Sequence, residues 1–168
     1  GILADNVAND SSDMVNDISA EAGADAVFDA EAVIDTAATM GDLISRMPEI
    51  TEGDITSFFG ASDQVMTPYD VRLDGRVIIS SIARDAAGPE IIWQRTYGLS
   101  SATSRFGDTG DPAILPVGFE VRDSENVITA EVFYDFEPIM MTGVLDPTQL
   151  YSRAVFRPRF GTLTAVLP

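Results

Sequence analysis

The chain has 168 residues, and its 27 Asp and Glu residues against ten Arg residues make a formal net charge of −17. It contains no Cys, no His and no Lys, so disulfides, thiolate or imidazole metal ligands, cysteine nucleophiles, histidine bases and lysine Schiff bases are all excluded. So strong a negative charge also argues against nucleic acid or an anionic membrane surface as a partner.

The N-terminal part of the chain predicts a helix over residues 2–20 with a thin apolar stripe. The residues at helical spacing are Leu3, Val7, Ser11, Met14 and Ile18. A helix that buries so little is marginal in water on its own. Two interpretations stay open: an ordinary frayed N-terminal helix, or the continuation of a longer helix from a segment that we expect to precede Gly1.

A stronger helix is predicted over residues 29–47. Its apolar stripe consists of Val33, Ala37, Met40, Ile44 and Met47. Asp29 suits the N-cap of this helix, and the proline that follows Met47 ends it. Residues 49–60 predict another short helical turn, in which Phe58 and Phe59 pack inward.

After about residue 70 the period of the apolar residues changes to two, which is typical of strands. Residues 71–85 predict a strand that is interrupted or bent near Asp74 and Gly75. With residues 90–97 it is predicted to form an antiparallel hairpin around the turn sequence AAGP. Residues 99–112 predict a long polar loop. Residues 114–123 and 127–137 predict two further strands.

The predicted strand at 127–137 alternates regularly between apolar and polar side chains. The side chains predicted to face the core are Ile128, Ala130, Val132, Tyr134 and Phe136. Thr129, Glu131 and Asp135 occupy the other face, so the strand is predicted to be half-buried. Pro138 and Pro147 bracket a predicted loop, and residues 147–153 predict one helical turn.

Three arginines, Arg153, Arg157 and Arg159, lie within seven residues near the end of this acidic chain. They alternate with apolar residues, which predicts a strand with the arginines facing outward and the apolar residues inward. The inward residues would be Ala154, Phe156, Pro158 and Phe160. Because proline has no N–H, this strand is predicted at a sheet edge or a bulge. The arginines either neutralise acidic neighbours such as Glu131 or Asp135, or form a docking surface for an acidic partner.

Helices followed by a run of strands predict an α+β fold rather than an alternating α/β fold. The length favours a single domain over residues 1–168. Within it, residues 1–48 are predicted to be the helical part, residues 49–69 a connecting segment and residues 70–168 the antiparallel sheet.

Three short sequences occur in a set order along the chain: VIISSIARDAAGPEIIWQR from residue 77, EVFYDFEPIM from residue 131 and RAVFRPRFG from residue 153. The residues that carry the pattern are Ser80, Ser81, Ile82, Gly88, Trp93, Arg95, Tyr134, Phe136 and Pro138. In this order the three sequences resemble the TadE-like family, the minor pilins of tight-adherence pili. The resemblance covers roughly residues 70–160.

This resemblance implies a pilin-like fold, with N-terminal helices packed on a mainly antiparallel sheet of about four to five strands. It implies a structural role in pilus biogenesis and surface attachment, without catalysis or a cofactor. The implied partners are the major pilin, other minor pilins, the inner-membrane assembly machinery and a prepilin peptidase that acts on the missing N-terminus. The implied location is the inner membrane with this domain in the periplasm, and later the extracellular pilus.

The resemblance also directs attention to two sets of interface residues. Residues 2–20 would continue the membrane helix, with small residues that allow close helix approach. These small residues are Ala4, Ala8 and Ser11. The edge that carries Arg153, Arg157 and Arg159 would be the other contact surface, because strand edges invite pairing and arginine is favoured at interfaces.

A different interpretation is an extracellular or periplasmic module that binds calcium or glycans. Asp108 and Asp111 lie in the glycine-rich sequence GDTGDP, and carboxylates in such loops suit calcium. Their spacing departs from the EF-hand pattern, and Asp and Gly also simply form turns. Trp93 and Tyr97 would either stack against a sugar or pack in the core.

An acidic hydrolase is the third interpretation, because a glycosidase needs only a pair of carboxylates. With 27 acidic residues, the sequence does not single out such a pair. It also shows no G-x-S-x-G motif and no glycine-rich phosphate loop. A protein without catalytic activity is therefore the expectation.

Overall fold

A computed structural model describes residues 24–136, 139–140, 143–144 and 148–168 of the chain. The helix predicted over residues 2–20, with Ala4, Ala8 and Ser11, lies outside these residues, as do Pro138 and Pro147. The described helices are α1 (Ala24–Ser45), α2 (Glu52–Met66) and α3 (Val71–Asp74). The described strands are β1 (Gly75–Asp85), β2 (Gly88–Tyr97), β3 (Asn126–Phe136), β4 (Ile139–Met140), β5 (Gly143–Val144) and β6 (Thr148–Phe156).

Four strands form one antiparallel sheet in the order β2-β1-β3-β6. β1 pairs with β2 through the predicted hairpin, and the register contains a bulge near Ser81 and Ile82. β4 and β5 form a separate two-stranded antiparallel pair. The prediction of an α+β fold with an antiparallel sheet is therefore confirmed.

Helix α1 covers one face of this sheet, across β3 and β6. It begins five residues before the predicted start, so Asp29 lies inside the helix and is not its N-cap. Its buried stripe consists of Ala30, Val33, Ala37, Met40 and Ile44. Gly41 lies directly against the ring of Phe156 in β6, and the lack of a side chain there lets the helix approach the sheet closely.

Helix α2 is much longer than the predicted single turn. A capping box starts it: the Asp54 amide donates to Thr51 Oγ1 at 3.1 Å, and the Thr51 amide donates to Asp54 Oδ2 at 2.9 Å. Phe59 is buried as predicted and stacks on Tyr97, with 5.2 Å between ring centroids. Phe58 is half-buried against the same core.

The second face of the sheet is covered as well, by the connection 98–125. Residues 114–123, predicted as a strand, contain no strand and belong to this connection. Its Phe106 and Val121 pack against Ile82 and Val127 of the sheet. Apolar residues in a loop that lies on a sheet produce the same alternation as a strand, which explains the wrong prediction.

Because the connection covers the second face of the sheet, β3 is buried on both faces. The five side chains predicted to face the core do so, all in the cluster between the sheet and the helices. The opposite face is buried too, and Thr129 and Glu131 have no solvent exposure. The prediction of a half-buried strand is therefore wrong, because the connection replaces solvent on that side. Residues 148–153 are also not a helical turn but the first part of β6.

The C-terminal segment returns to the core at Leu163, which is buried. Trp93 Nε1 and Ser81 Oγ both donate to the Leu163 carbonyl, at 2.9 Å and 2.8 Å. The Leu163 amide donates to Asn126 Oδ1 at 2.9 Å. Trp93 is therefore a core residue whose indole N–H holds the segment around Leu163 in place. Its ring is buried and cannot stack against a sugar.

Candidate functional site

The three C-terminal arginines do not share one strand. β6 ends at Phe156, so only Arg153 belongs to it, at the end position of the sheet order. The Arg159 amide donates to the Ser45 carbonyl at 2.8 Å, which turns the chain towards the end of α1. Phe160, predicted to point inward, is exposed. The predicted alternation therefore stops at the end of β6.

Arg157 and Arg159 each face a carboxylate of the same chain. Arg157 Nε lies 3.7 Å from Glu125 Oε1, and its guanidinium lies 5.3 Å from the centroid of the Phe119 ring. Arg159 lies 3.3 Å from Asp42 Oδ1. The carboxylates near these two arginines thus come from the 98–125 connection and from α1. Exposed pairs of this kind contribute only about 0–1 kcal/mol, so both guanidinium groups stay available to a partner.

Arg153 lies opposite Glu131 in the pairing of β6 with β3. Its side chain is half-buried on the face that the connection covers. It is therefore separated from Arg157 and Arg159, which lie on the chain that follows β6. The structure brings two of the three arginines to one exposed segment and places the third under the connection.

Asp108 and Asp111 lie in an exposed turn. The Asp111 amide donates to the Asp108 carbonyl at 3.0 Å, and the Asp108 amide lies 3.3 Å from Asp111 Oδ2. The turn is attached to β2, because the Gly110 amide donates to the Ile91 carbonyl at 2.8 Å. Across the described part of the chain there is no group of three or more acidic side chains arranged to hold a metal ion. Calcium binding at this turn stays a prediction.

The sequence interpretation missed a buried carboxylate cluster around Glu131. Three donors converge on this side chain, which has no solvent exposure. Ser104 Oγ donates to Oε2 at 2.5 Å, and the Arg105 amide and the Tyr151 hydroxyl donate to Oε1 at 2.8 Å and 2.9 Å. The guanidinium of Arg105 lies 3.7 Å from the centroid of the Tyr151 ring. The cluster thus fastens the connection 98–125 to the middle of the sheet.

Burial raises the pKa of Glu131 above its ordinary value, and the hydrogen bonds from Ser104, Arg105 and Tyr151 offset part of that rise. Burial also raises the pKa of Tyr151, with a further contribution from the charge of Glu131. Since the carboxylate is sealed from solvent, it cannot meet a substrate. The cluster is structural, and we call it the latch because its hydrogen bonds hold the connection 98–125 against β3.

Because the pKa of Glu131 is raised, the free energy of unfolding should depend on pH. A carboxyl whose pKa is higher in the folded state binds its proton more tightly there, so its contribution to stability is lost as the pH rises through the folded pKa. Urea unfolding from about pH 4 to about pH 8 should show the wild type losing stability relative to Glu131→Gln as the pH rises above the ordinary glutamate range. If the stability of the wild type relative to Glu131→Gln stayed constant or increased as the pH rises, the assignment would be contradicted.

A surface cleft of about 270 Å³ lies at the C-terminal end of α2. Its lining residues are Asp63, Thr67, Pro68, Tyr69, Asp70 and Arg72. The Tyr97 hydroxyl donates to Asp63 Oδ2 at 2.6 Å, and burial together with this contact raises the pKa of Tyr97 to about 12. No sequence pattern indicated this cleft, because it joins residues from a helix end, a turn and α3.

No helix among the described residues is both long and apolar enough to cross a membrane. Comparisons of the chain with protein-family models, with curated proteins and with solved structures found no match. Support for a function therefore comes from the residues and their contacts alone.

Proposed function

We propose that this protein is a structural subunit, a TadE-like minor pilin of a bacterial tight-adherence pilus, which acts in pilus biogenesis and attachment through protein contacts. The observation that carries the proposal is the path of the chain. A long helix precedes an antiparallel sheet and packs along one face of it, across β3 and β6. This is the arrangement that the TadE-like resemblance implies for residues 70–160 and the helices before them.

The packing of α1 suits such a role. Its apolar stripe is buried in the core that the sheet and α2 share with it, and Gly41 lies against Phe156. In the proposed pilin, this packing would join the N-terminal part of the chain to the sheet. In the proposed pilin, residues 2–20 would extend this helix towards a membrane anchor, and Ala4, Ala8 and Ser11 would permit close packing with helices of other pilins.

The surface chemistry is compatible with this assignment. A net charge of −17 keeps a domain soluble and discourages nonspecific contact with anionic membranes. The proposed partners are the major pilin, other minor pilins and the inner-membrane assembly machinery. The domain would stand in the periplasm before assembly and outside the cell in the finished pilus.

The exposed segment with Arg157 and Arg159 is the proposed contact to an acidic partner. Each arginine is about half exposed, at 47% and 55%, and each makes only one long contact to a carboxylate, at 3.7 Å and 3.3 Å, so its bidentate fork is not used within the described part of the chain. A partner carboxylate would compete with a weak intramolecular pair and not with a buried one.

The double variant Arg157→Glu/Arg159→Glu should abolish or strongly reduce pili when it replaces the wild type in the source bacterium. The fold should persist, because each exposed pair contributes only about 0–1 kcal/mol. Pili counted by electron microscopy and cells retained on a surface are the readouts. Deletion of the gene should abolish both the pili and the retention of cells on the surface.

Arg95 provides a control at the other edge of the sheet, where it lies on β2, pairs with Glu52 and is 36% exposed. Arg95→Glu makes the same charge change far from the proposed contact segment. Piliation should survive Arg95→Glu and fall in Arg159→Glu. Equal effects of these two variants would contradict the arginine contact, and normal pili in the deletion strain would contradict the pilin assignment.

A further inference from the structure

The peptide bond between Asp111 and Pro112 lies beside the start of β2. The Ile91 amide of β2 donates to the Asp111 carbonyl at 3.1 Å, and the Gly110 amide donates to the Ile91 carbonyl at 2.8 Å. On the other side of the bond, Pro112 forms an antiparallel bridge with Glu90. The bond is therefore held from both sides by one strand of the sheet.

The hydrogen bond from Ile91 acts on the carbonyl oxygen of this peptide bond. Ile91 has no solvent exposure, so its amide is fixed in the sheet and points at the Asp111 oxygen. When a nucleophile adds to a carbonyl carbon, negative charge develops on the carbonyl oxygen. A preorganised N–H donor at that oxygen stabilises the charge, and one such donor is worth roughly 10²–10³ in rate at enzyme sites.

A nucleophile is present in the same residue. The Asp111 carboxylate can add to the carbonyl carbon of Asp111, because the closure makes a five-membered ring, and an intramolecular group has a high effective concentration. The side chain is exposed. Among the described residues its carboxylate forms no ion pair and accepts only the long contact of 3.3 Å from the Asp108 amide. The carboxylate is therefore free to turn towards the carbonyl carbon.

Pro112 provides the leaving nitrogen. The proline nitrogen of a peptide bond has no hydrogen, and on release it becomes a secondary amine, which is more basic than the primary amine that other residues release. Pro112 is exposed, so the acidic medium can protonate this nitrogen. The chain contains a second bond of the same type, Asp146-Pro147, which lies outside the described residues and serves below as an internal reference.

We propose that the fold promotes self-cleavage of the Asp111-Pro112 bond in mild acid. The Asp111 carboxylate attacks the carbonyl carbon of its own residue, and the new C–O bond closes a cyclic anhydride. The C–N bond to Pro112 breaks, its electron pair stays on the nitrogen, and the nitrogen takes a proton from the medium. Water then opens the anhydride and leaves two carboxyl groups on Asp111. The net reaction consumes one water molecule and neither oxidises nor reduces the chain.

The two fragments should stay together after cleavage. Fragment 1–111 contains β1 and β2, and fragment 112–168 contains β3 and β6. β1 pairs with β3 from Gly75 to Ala83 in the middle of the sheet. Self-cleavage therefore yields a nicked protein with an intact sheet and two new chain ends on its surface. This inference does not depend on the pilin assignment.

The test is the intact mass of the full chain during incubation at about pH 4, where carboxyl groups in general begin to bind protons. Fragments 1–111 and 112–168 should appear, with masses that sum to that of the chain plus one water. The cut at Asp111-Pro112 should be at least about tenfold faster than the cut at Asp146-Pro147. Denaturing electrophoresis should separate the fragments, while gel filtration should show one species of unchanged size.

The same incubation in urea separates the effect of the fold from that of the dipeptide. Unfolding removes the Ile91 donor, so the two bonds should then be cut at similar rates. Equal rates at the two bonds in the native protein, or no cut at Asp111-Pro112, would overturn the proposal. A preference for Asp111-Pro112 that persists undiminished in urea would also overturn it, because the fold would not be its cause.

Two exposed aspartates provide matched variants. Asp111→Asn should lose the cut, because a neutral amide is a poor nucleophile, and Asp108→Asn should keep it. Asp111→Glu retains the charge but needs a six-membered ring, so its cut should be at least about tenfold slower. Circular dichroism and urea unfolding should match the wild type for all three variants. Cleavage that survives Asp111→Asn, or that disappears in Asp108→Asn, would contradict the assignment of the nucleophile.

Discussion

Replacement of Glu131 by alanine is expected to reduce the free energy of unfolding by about 3–5 kcal/mol, which is the usual loss when one partner is removed from a buried charged network. The variant leaves the Ser104 hydroxyl, the Arg105 amide and the Tyr151 hydroxyl without their acceptor. Buried donors without partners each cost about 1–3 kcal/mol, and the missing side chain adds a cavity. The raised pKa of Glu131 is compatible with this loss. Burial disfavours the charged form of the carboxyl group, and the three donors still need its oxygens as acceptors.

The measurement is urea unfolding at neutral pH, with Glu125→Ala as the control. Glu125 is a partly exposed glutamate: its Oε1 lies 3.7 Å from Arg157, which is 47% exposed, and its Oε2 accepts from the Arg122 amide at 2.9 Å. Its replacement should cost no more than about 1 kcal/mol, as is usual for surface pairs. Similar losses in the two variants would contradict the description of the Glu131 cluster as the latch of the connection.

A second large effect is expected at Gly98, at the end of β2. Gly98 adopts φ of 103°, and an added Cβ would collide with the carbonyl oxygen of Gly75. Gly98→Ala therefore combines backbone strain of about 1–3 kcal/mol with a steric cost of similar size. The neighbour is backbone at the start of β1, so it cannot move aside as a flexible side chain would. The expected total is about 3–5 kcal/mol by urea unfolding.

Gly110→Ala separates the two costs. Gly110 also has a positive φ, 89°, but an added Cβ would meet nothing within 4 Å. It should lose only the strain contribution of about 1–3 kcal/mol. If Gly98→Ala proved no worse than Gly110→Ala, the close approach of β2 to the start of β1 would be wrong.

Local chemistry by itself determined several elements of this protein. The period-two alternation placed β1, β2 and β3, and the turn residues between β1 and β2 indicated their antiparallel pairing. The apolar stripe of α1 predicted the helix and its buried face. These features depend on neighbours along the chain, so a pattern within one segment contains the information.

The sequence was less informative where the same local pattern suits two environments. Residues 114–123 alternate like a strand but lie as a loop over the sheet, and Arg157 continues an alternation that ends with β6 at Phe156. The capping box at Thr51 and Asp54 is a local signal for the start of the long helix α2, and the prediction of a single turn did not use it. The candidate arginine surface was therefore only partly predictable.

Tertiary structure alone decided the environment of Glu131 and the composition of the cleft at the end of α2. A glutamate at a polar position of an alternating strand is expected in solvent, and only the return of the connection 98–125 buries it and supplies Ser104 and Arg105 as donors. Beside the cleft, Asp63 of α2 accepts a hydrogen bond from Tyr97 at the end of β2, a residue 34 positions away along the chain. Such contacts arise from how distant segments pack, and no periodicity within one segment records them.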